Sequence, residues 1–165
     1  MSIGIIVVEA VIFCVLFTAL VFATTGKDST AQVHNYPPEI QEEYFKTHER
    51  IDTEPLSIRV VMIRSVGILI FSAILVGMAY IAKAQTFLQG FVVAFILMLV
   101  IGMYDTFFLD WVLFANMKRF RLPGTEHMDK EYHQKWFHLK GMLFPGIAFA
   151  LIPAIITGVV IMLMS

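Results

Sequence analysis

Four long apolar runs constrain this chain more than any other feature of its sequence. They cover about residues 3–24, 57–82, 87–115 and 142–164. A helix of roughly 20 apolar residues is long enough to cross the hydrocarbon core of a bilayer. Each run reaches that length. The sequence therefore predicts an all-α integral membrane protein, with residues 1–165 forming a single domain built as a bundle of four transmembrane helices.

The composition agrees with a membrane location and excludes several other classes. Hydrophobic residues make up 58% of the chain and charged residues 15%, and the mean hydropathy is +0.77. Soluble domains carry about 25% charged residues. A net charge of −1 provides no basic surface for phosphate groups, so we expect no nucleic-acid partner. The only cysteine, Cys14, excludes an internal disulfide, and we expect it to be a small buried hydrophobic residue.

Lysine and arginine are distributed unevenly along the chain. Eleven of the twelve, including Lys27 and Arg59, lie in or beside segments 25–56 and 116–141. Only Lys83 lies in the short link between the second and third apolar runs. The positive-inside rule then predicts that both segments are cytoplasmic and that both termini lie outside the cell membrane. The short link predicts an antiparallel hairpin.

Both cytoplasmic segments are expected to contain a short amphipathic helix. In the first, Pro38 occupies the favoured first position of a helix, and Ile40 and Tyr44 then share one face. In the second, a Pro-Gly-Thr turn at residues 123–125 is expected to precede a single helix over Thr125–Leu139.

The helix expected over Thr125–Leu139 has two different faces. Tyr132 and Trp136 lie on its apolar stripe, which predicts that they face lipid or the bundle. His127 and Glu131 lie on its polar stripe and are expected to face water.

Charged residues interrupt the second and third runs. A charge at the bilayer centre costs about 2.5–3.5 kcal/mol on insertion scales, so each such residue needs a reason. Arg64 and Asp110 lie at matching depths on neighbouring antiparallel helices, which predicts an ion pair between them. Asp105 is five residues from Asp110, so a straight α-helix would set the two carboxylates about 140° apart. Such a separation disfavours a metal site shared by both.

The remaining candidate residues support several kinds of site. For catalysis we consider Asp105, Asp110 and Glu131, and for substrate binding Arg64, Lys140 and Trp136. A weak metal set consists of His127, Glu131 and His138, although His138 lies two turns beyond the other two. We predict no cofactor, and a metal ion stays open. Glu9 is an isolated intramembrane carboxyl group, which is expected to bond a neighbouring helix or to carry a proton.

Three stretches occur together in this chain: Asn35-Tyr-Pro-Pro-Glu-Ile40, Asp105-x4-Asp110-Trp111, and Pro123-Gly-Thr-Glu-His-Met128 running on to Trp136-Phe-His-x-Lys-Gly141. In this layout the chain resembles small uncharacterised four-helix membrane proteins of bacteria. The resemblance implies a bacterial multi-pass protein and no particular activity.

The sequence contains no phosphate-binding glycine loop and no hydrolase or zinc-protease motif. Because no motif selects one activity, three functions stay compatible with these features. The leading hypothesis is a non-enzymatic accessory or oligomeric subunit with a polar cluster near the cytoplasmic face. The second is a membrane-embedded enzyme that acts on a lipid or isoprenoid headgroup at that face. The third is a small oligomeric transporter or channel. The expected partners are membrane lipids and either further copies of the chain or a larger membrane complex.

Overall fold

The computed structural model describes residues 2–25, 30–50 and 58–165, apart from the side chains of Ala31, Arg59 and Val60. Within these ranges the chain is helical and contains no strand. Four segments are long and apolar enough to cross a membrane: Ile3–Thr24, Val61–Ile81, Phe87–Phe114 and Asp129–Met164. The all-α architecture and the four candidate spans are thus confirmed. The expected start of the second run at residue 57 and the side chains of Lys27 and Arg59 lie outside the described residues.

The helices follow one another in a simple order along the chain. They are α1 (Ile3–Thr24), α2 (Pro38–Tyr44), α3 (Ile58–Ile81), α4 (Phe87–Tyr104), α5 (Asp129–Tyr132), α6 (Lys135–Gly141) and α7 (Ile147–Met164). Two stretches are π-helical: Asp105–Phe114 continues α4, and Met142–Gly146 joins α6 to α7. Short 3-10 stretches cover Thr30–Asn35 and Lys118–Phe120.

Helices α4 and α7 form the centre of the bundle. Their buried faces meet through small residues, since Gly90 lies against Ile161 and Gly158 lies against Phe87. In a membrane, helix association depends on close packing and not on the hydrophobic effect, so small residues let the backbones approach. Helix α1 packs on α4, and α3 packs on both α4 and α7.

The two termini and the link between α3 and α4 lie at the same end of the bundle. The backbone N–H of Ser2 donates a hydrogen bond of 3.0 Å to the carbonyl of Ala82. Gln85 and Met164 line a cavity there. Helix α3 ends in a Schellman motif, in which Lys83 adopts a left-handed conformation with φ 60° and Ala84 N–H bonds Ala79 C=O at 3.0 Å.

Helix α3 joins the bundle with its second half only. Its buried residues begin at Ser72 and continue with Leu75 and Ala79. The side chains of residues 61–66, which include Arg64, are all exposed. The side chains of residues 61–66 are therefore not buried against any of the described helices.

A second hydrophobic core lies at the opposite end of the bundle and joins residues 30–48 to residues 118–134, which we call the end layer. Its buried members are Val33, Tyr36, Ile40, Tyr44, Leu122 and Tyr132. The Tyr36 hydroxyl donates to the carbonyl of Phe120 at 2.8 Å, and the Leu122 N–H donates to the Tyr132 hydroxyl at 2.8 Å. The expected start of α2 at Pro38 and the shared face of Ile40 and Tyr44 are confirmed.

The second half of the end layer differs from the single helix expected over Thr125–Leu139. Gly124, at φ 83°, closes a turn in which Thr125 N–H bonds Leu122 C=O at 3.1 Å, and helix begins only at Asp129. The chain breaks again after Tyr132, before α6. This break explains why Tyr132 and Trp136 do not share a face: Tyr132 is 1% exposed and Trp136 is 65% exposed.

Two arginines of the end layer satisfy the free carbonyl groups at the ends of transmembrane-length helices. Arg119 donates to the carbonyl of Phe22 in α1 at 3.0 Å, and Arg121 donates to the carbonyl of Ala115 at 2.9 Å. Arg121 also pairs with Asp129 at 2.6 Å. A cation at a helix C-terminus is favoured by the helix dipole, so these contacts fasten the end layer to the bundle.

The contact between α4 and α7 predicts a position that tolerates no side chain. A Cβ atom at Gly158 would lie 2.9 Å from the carbonyl oxygen and two ring carbons of Phe87. We expect Gly158→Ala to lower the free energy of unfolding by about 1–3 kcal/mol, because the helices must separate. Thermal unfolding in detergent measures this. The control is Gly77→Ala, where a Cβ atom meets nothing within 4 Å; equal stabilities of the two variants would contradict the prediction.

Candidate functional site

The π-helical end of α4 brings its two aspartates to the same side. The i→i+5 hydrogen bonding of a π-helix places residues five apart nearly above one another. Asp105 and Asp110 both lie in this stretch and both line the same two cavities. The expectation that they point about 140° apart, which assumed an α-helix, is therefore wrong. Unusual π-turns of this kind occur frequently at functional sites.

The closest polar contact of the site joins Asp110 to His138 of α6. The His138 Nδ1 atom lies 3.0 Å from Asp110 Oδ2, and the two side chains are 8% and 25% exposed. With the aspartate ionised, Nδ1 carries the proton and donates it, which leaves Nε2 as the acceptor nitrogen of a neutral ring. The ring of Phe114 packs edge-on against the imidazole at 5.4 Å and restricts its orientation.

The second nitrogen of His138 is buried and has no hydrogen-bond partner among the described residues. Most buried polar atoms in proteins are paired, because burying one unpaired costs about 1–3 kcal/mol. The imidazole lines both cavities of the site. His138 thus has an oriented ring that lines both cavities and a second nitrogen that is buried and unpaired among the described residues.

Two cavities meet at this polar cluster. One, of about 300 Å³, lies between α1, the π-helical stretch and the first segment of the end layer, which contributes Gln32 and Tyr36. The other, of about 820 Å³, lies between α4 and the start of α7. Four residues line both cavities: Asn35, Asp105, Asp110 and His138.

The larger cavity changes character along its length. Beside Asp110 and His138 its wall is polar, and Lys140 and the exposed His34 also line it. Further along α4 and α7 the wall is apolar, with Leu99, Met103, Leu143, Phe144, Ile147 and Ala150. Ligand cavities in proteins have volumes of about 300–1,000 Å³, mostly apolar walls and a few converging polar groups. The larger cavity has all three properties.

The structure corrects the expected pairing of Asp110 with Arg64. His138 is the hydrogen-bond partner of Asp110, and Arg64 is exposed on the half of α3 that leaves the bundle. Matching depth in the membrane was a valid criterion, but several helices satisfy it. The helices that lie against this part of α4 are α6 and α7, and the start of α3 does not.

Glu9 lies far from the Asp110–His138 pair, in the half of α1 near the termini. It is 7% exposed, and neither of its carboxyl oxygens has a hydrogen-bond partner in the described part of the chain. The expected bond from Glu9 to a neighbouring helix is not among the contacts there.

The other predicted site residues lie on the surface of the end layer or at its edge. His127 is exposed near Glu43, whose carboxyl has a lowered pKa because Lys46 donates a hydrogen bond to it and because the Lys46 and His127 charges lie nearby. Glu131 is half-buried, away from both cavities, and Trp136 is exposed. Of the substrate-binding candidates, Lys140 lines the larger of these two cavities, and Arg64 and Trp136 line neither of the two.

The three members of the predicted metal set do not come together. Across residues 2–25, 30–50 and 58–165, no three His, Cys, Asp or Glu side chains form a group able to hold a metal ion. His138 faces Asp110, whereas His127 lies near Glu43. Metal binding by this chain stays a prediction without a site.

Sequence reasoning missed Asn35 as a site residue and missed the true role of His138. Asn35 directly precedes Tyr36, which is buried in the end layer, so the asparagine is carried to the edge of both cavities. The sequence did indicate that His138 and Asp110 lie at similar depths. His138 lies just before the fourth apolar run, and Asp110 lies just before the end of the third.

Comparisons with known proteins add no functional information for this site: no protein-family model, curated protein or solved structure matches the chain. The function is therefore argued from the geometry of the cavities.

The Asp110–His138 contact predicts a specific pattern of stability. Asp110→Ala leaves the buried imidazole without its acceptor, so we expect the free energy of unfolding to fall by about 1–3 kcal/mol. Adding His138→Phe removes the stranded polar ring, and the double variant should recover part of that loss. Denaturant unfolding of the single and double variants measures the coupling.

The control for this cycle is Glu126→Ala, which changes an exposed carboxylate of the end layer and should shift stability by less than about 0.5 kcal/mol. Strictly additive losses in Asp110→Ala and His138→Phe would contradict a stabilising contact between the two side chains.

Proposed function

We propose that this chain is a multi-pass membrane enzyme that acts on the headgroup of a lipid-like amphiphile, with Asp110 and His138 as its acid–base pair. The single observation that carries the proposal is the buried imidazole of His138. Its Nδ1 lies 3.0 Å from Asp110, its Nε2 is buried and unpaired among the described residues, and the ring lines two cavities.

The chemistry follows from the two ring nitrogens. Asp110 accepts the hydrogen bond from Nδ1–H and holds that tautomer in place, so a substrate hydroxyl group that reaches the buried Nε2 can transfer its proton to the lone pair there. The resulting imidazolium is stabilised by the aspartate, as in other Asp–His pairs. General acid–base catalysis by a positioned histidine contributes typically 10²–10⁴-fold in rate.

The location of the pair suits a substrate that is partly in the membrane. Asp105 lies one π-turn from Asp110 and adds a second acceptor on the same side. The apolar wall formed by Phe144 and Ile147 can receive a hydrocarbon chain while the polar end receives the headgroup. Asp105 and Asp110 thus stay candidate catalytic residues, whereas the position of Glu131 gives no support to its candidacy.

The proposal includes the orientation of the protein. The basic end layer would face the cytoplasm and both termini the outside of a bacterial cell membrane. This placement is supported by the uneven lysine and arginine distribution and by the common end of the bundle at which Ser2, Ala82 and Met164 lie.

A second candidate is the non-enzymatic accessory or oligomeric subunit. The observation that favours it is the exposed N-terminal half of α3, where Arg64 stands among apolar side chains. A further copy of the chain would cover this half and give the charge a protein environment.

The enzymatic proposal predicts a change in membrane lipids. Cells that express the wild-type chain should contain a lipid species, detected by mass spectrometry, whose amount falls to background with His138→Gln because the proton acceptor is lost. The control is His133→Gln, an exposed histidine 3.6 Å from Asp129, which should leave the species unchanged. Identical lipid profiles for wild type and His138→Gln, at equal amounts of folded protein, would contradict catalysis and favour the subunit.

The orientation predicts which sites an impermeant thiol reagent can reach in intact cells. In a chain carrying Cys14→Ala, we expect labelling of Lys83→Cys and none of Lys130→Cys, because the two positions lie at opposite ends of the bundle. Permeabilised cells serve as the control for reactivity of Lys130→Cys. Labelling of Lys130→Cys but not of Lys83→Cys in intact cells would reverse the orientation.

A further inference from the structure

We infer that the larger cavity binds a zwitterionic glycerophospholipid whose headgroup ends in a primary ammonium group, as in phosphatidylethanolamine. The inference deepens the proposed function, on which it rests for the site, and it names the substrate class. It depends on the order in which charged and apolar residues follow one another along the cavity wall.

The order of residues matches the order of groups in such a lipid. Where the cavity meets the end layer it is lined by Asp110 and His138, and the partly exposed carboxyl group of Asp110 is an acceptor for a cation. Lys140 follows two residues later along α6, and the apolar positions from Leu143 to Ala150 follow after that. An aminophospholipid presents its ammonium, its phosphate and its acyl chains in the same order from the membrane surface inward.

The carboxylates decide which headgroup is preferred. Asp105 and Asp110 both line the cavity, so an ammonium group can donate charge-assisted hydrogen bonds to acceptors that are partly shielded from water. A glycerol headgroup lacks the positive charge, and a trimethylammonium headgroup lacks the N–H donors. The primary ammonium is the group that supplies both.

Lys140 has a different role from the two aspartates. Lys140 lines the cavity at a position along α6 between His138 and the apolar residues, so its ammonium can pair with a phosphate bound there. Every glycerophospholipid carries that phosphate. Lys140 therefore raises the affinity for all of these lipids and does not discriminate among their headgroups.

The binding test uses the full-length protein in detergent and native mass spectrometry with defined lipids. We expect phosphatidylethanolamine to bind about tenfold more tightly than phosphatidylglycerol, as one charge-assisted hydrogen bond would provide. The double variant Asp105→Asn/Asp110→Asn should lose this preference. Lys140→Gln should weaken both lipids alike. The matched controls, Glu126→Gln and Lys130→Gln, change exposed residues outside the cavity and should bind as wild type does.

A second series tests the inference on the wild-type chain alone, so that it does not depend on how the variants fold. Stepwise N-methylation of the phosphatidylethanolamine headgroup removes one N–H donor at a time, and binding should weaken with each step to phosphatidylcholine. Soluble glycerophosphoethanolamine distinguishes the lipid from its free headgroup: it should compete poorly, because it lacks the acyl chains that the apolar wall receives. Equal binding of all headgroups, or competition by the soluble headgroup at the lipid's own concentration, would overturn the inference.

The two proposals fail in different ways. A lipid species that depends on His138, together with equal binding of all headgroups, would retain the enzyme and reject the aminophospholipid. Selective binding of phosphatidylethanolamine that is lost in Asp105→Asn/Asp110→Asn, with unchanged cellular lipids, would retain the binding site and reject catalysis.

Discussion

The contact between Asp110 and His138 is the polar interaction around which the candidate site is built. It ties the π-helical end of α4 to α6, and α6 leads through a π-turn into α7. The imidazole packs against Phe114, so the ring contact and the hydrogen bond of 3.0 Å together fix the orientation of a ring that lines both cavities. Breaking such a buried contact strands one polar partner, whereas keeping it adds only modest net stability.

The end layer gives that contact its surroundings. Its own small core, centred on Tyr36 and Tyr132, positions Asn35 at the edge of both cavities. Arg119 and Arg121 bond the carbonyl groups at the ends of α1 and α4, where the helix dipoles favour a positive charge. Two of the basic residues that predict the orientation of the chain thus also attach the end layer to the bundle.

Much of the architecture could be predicted from the sequence, and the reasons are local. Spans were predictable because membrane thickness sets a minimum length for an apolar helix, and the start of α2 was predictable because Pro38 suits the first position of a helix. The single helix over Thr125–Leu139 was wrong because its periodicity ignored the turn closed by Gly124 and the break after Tyr132. The Arg64–Asp110 pair was wrong because matching depth allows several partners and does not choose among neighbouring helices.

The sequence by itself determined the helical class, the four spans and the uneven placement of basic residues, since these depend on the length, hydropathy and charge of single segments. Only the tertiary structure decided that Asp105 and Asp110 face the same cavities, because the change from α- to π-helical bonding depends on what packs around α4. The same holds for the choice of His138 as the partner of Asp110 and for the two cavities that meet there. Contacts between distant segments depend on how the helices pack against one another. The periodicity of one segment does not identify the segment that packs beside it.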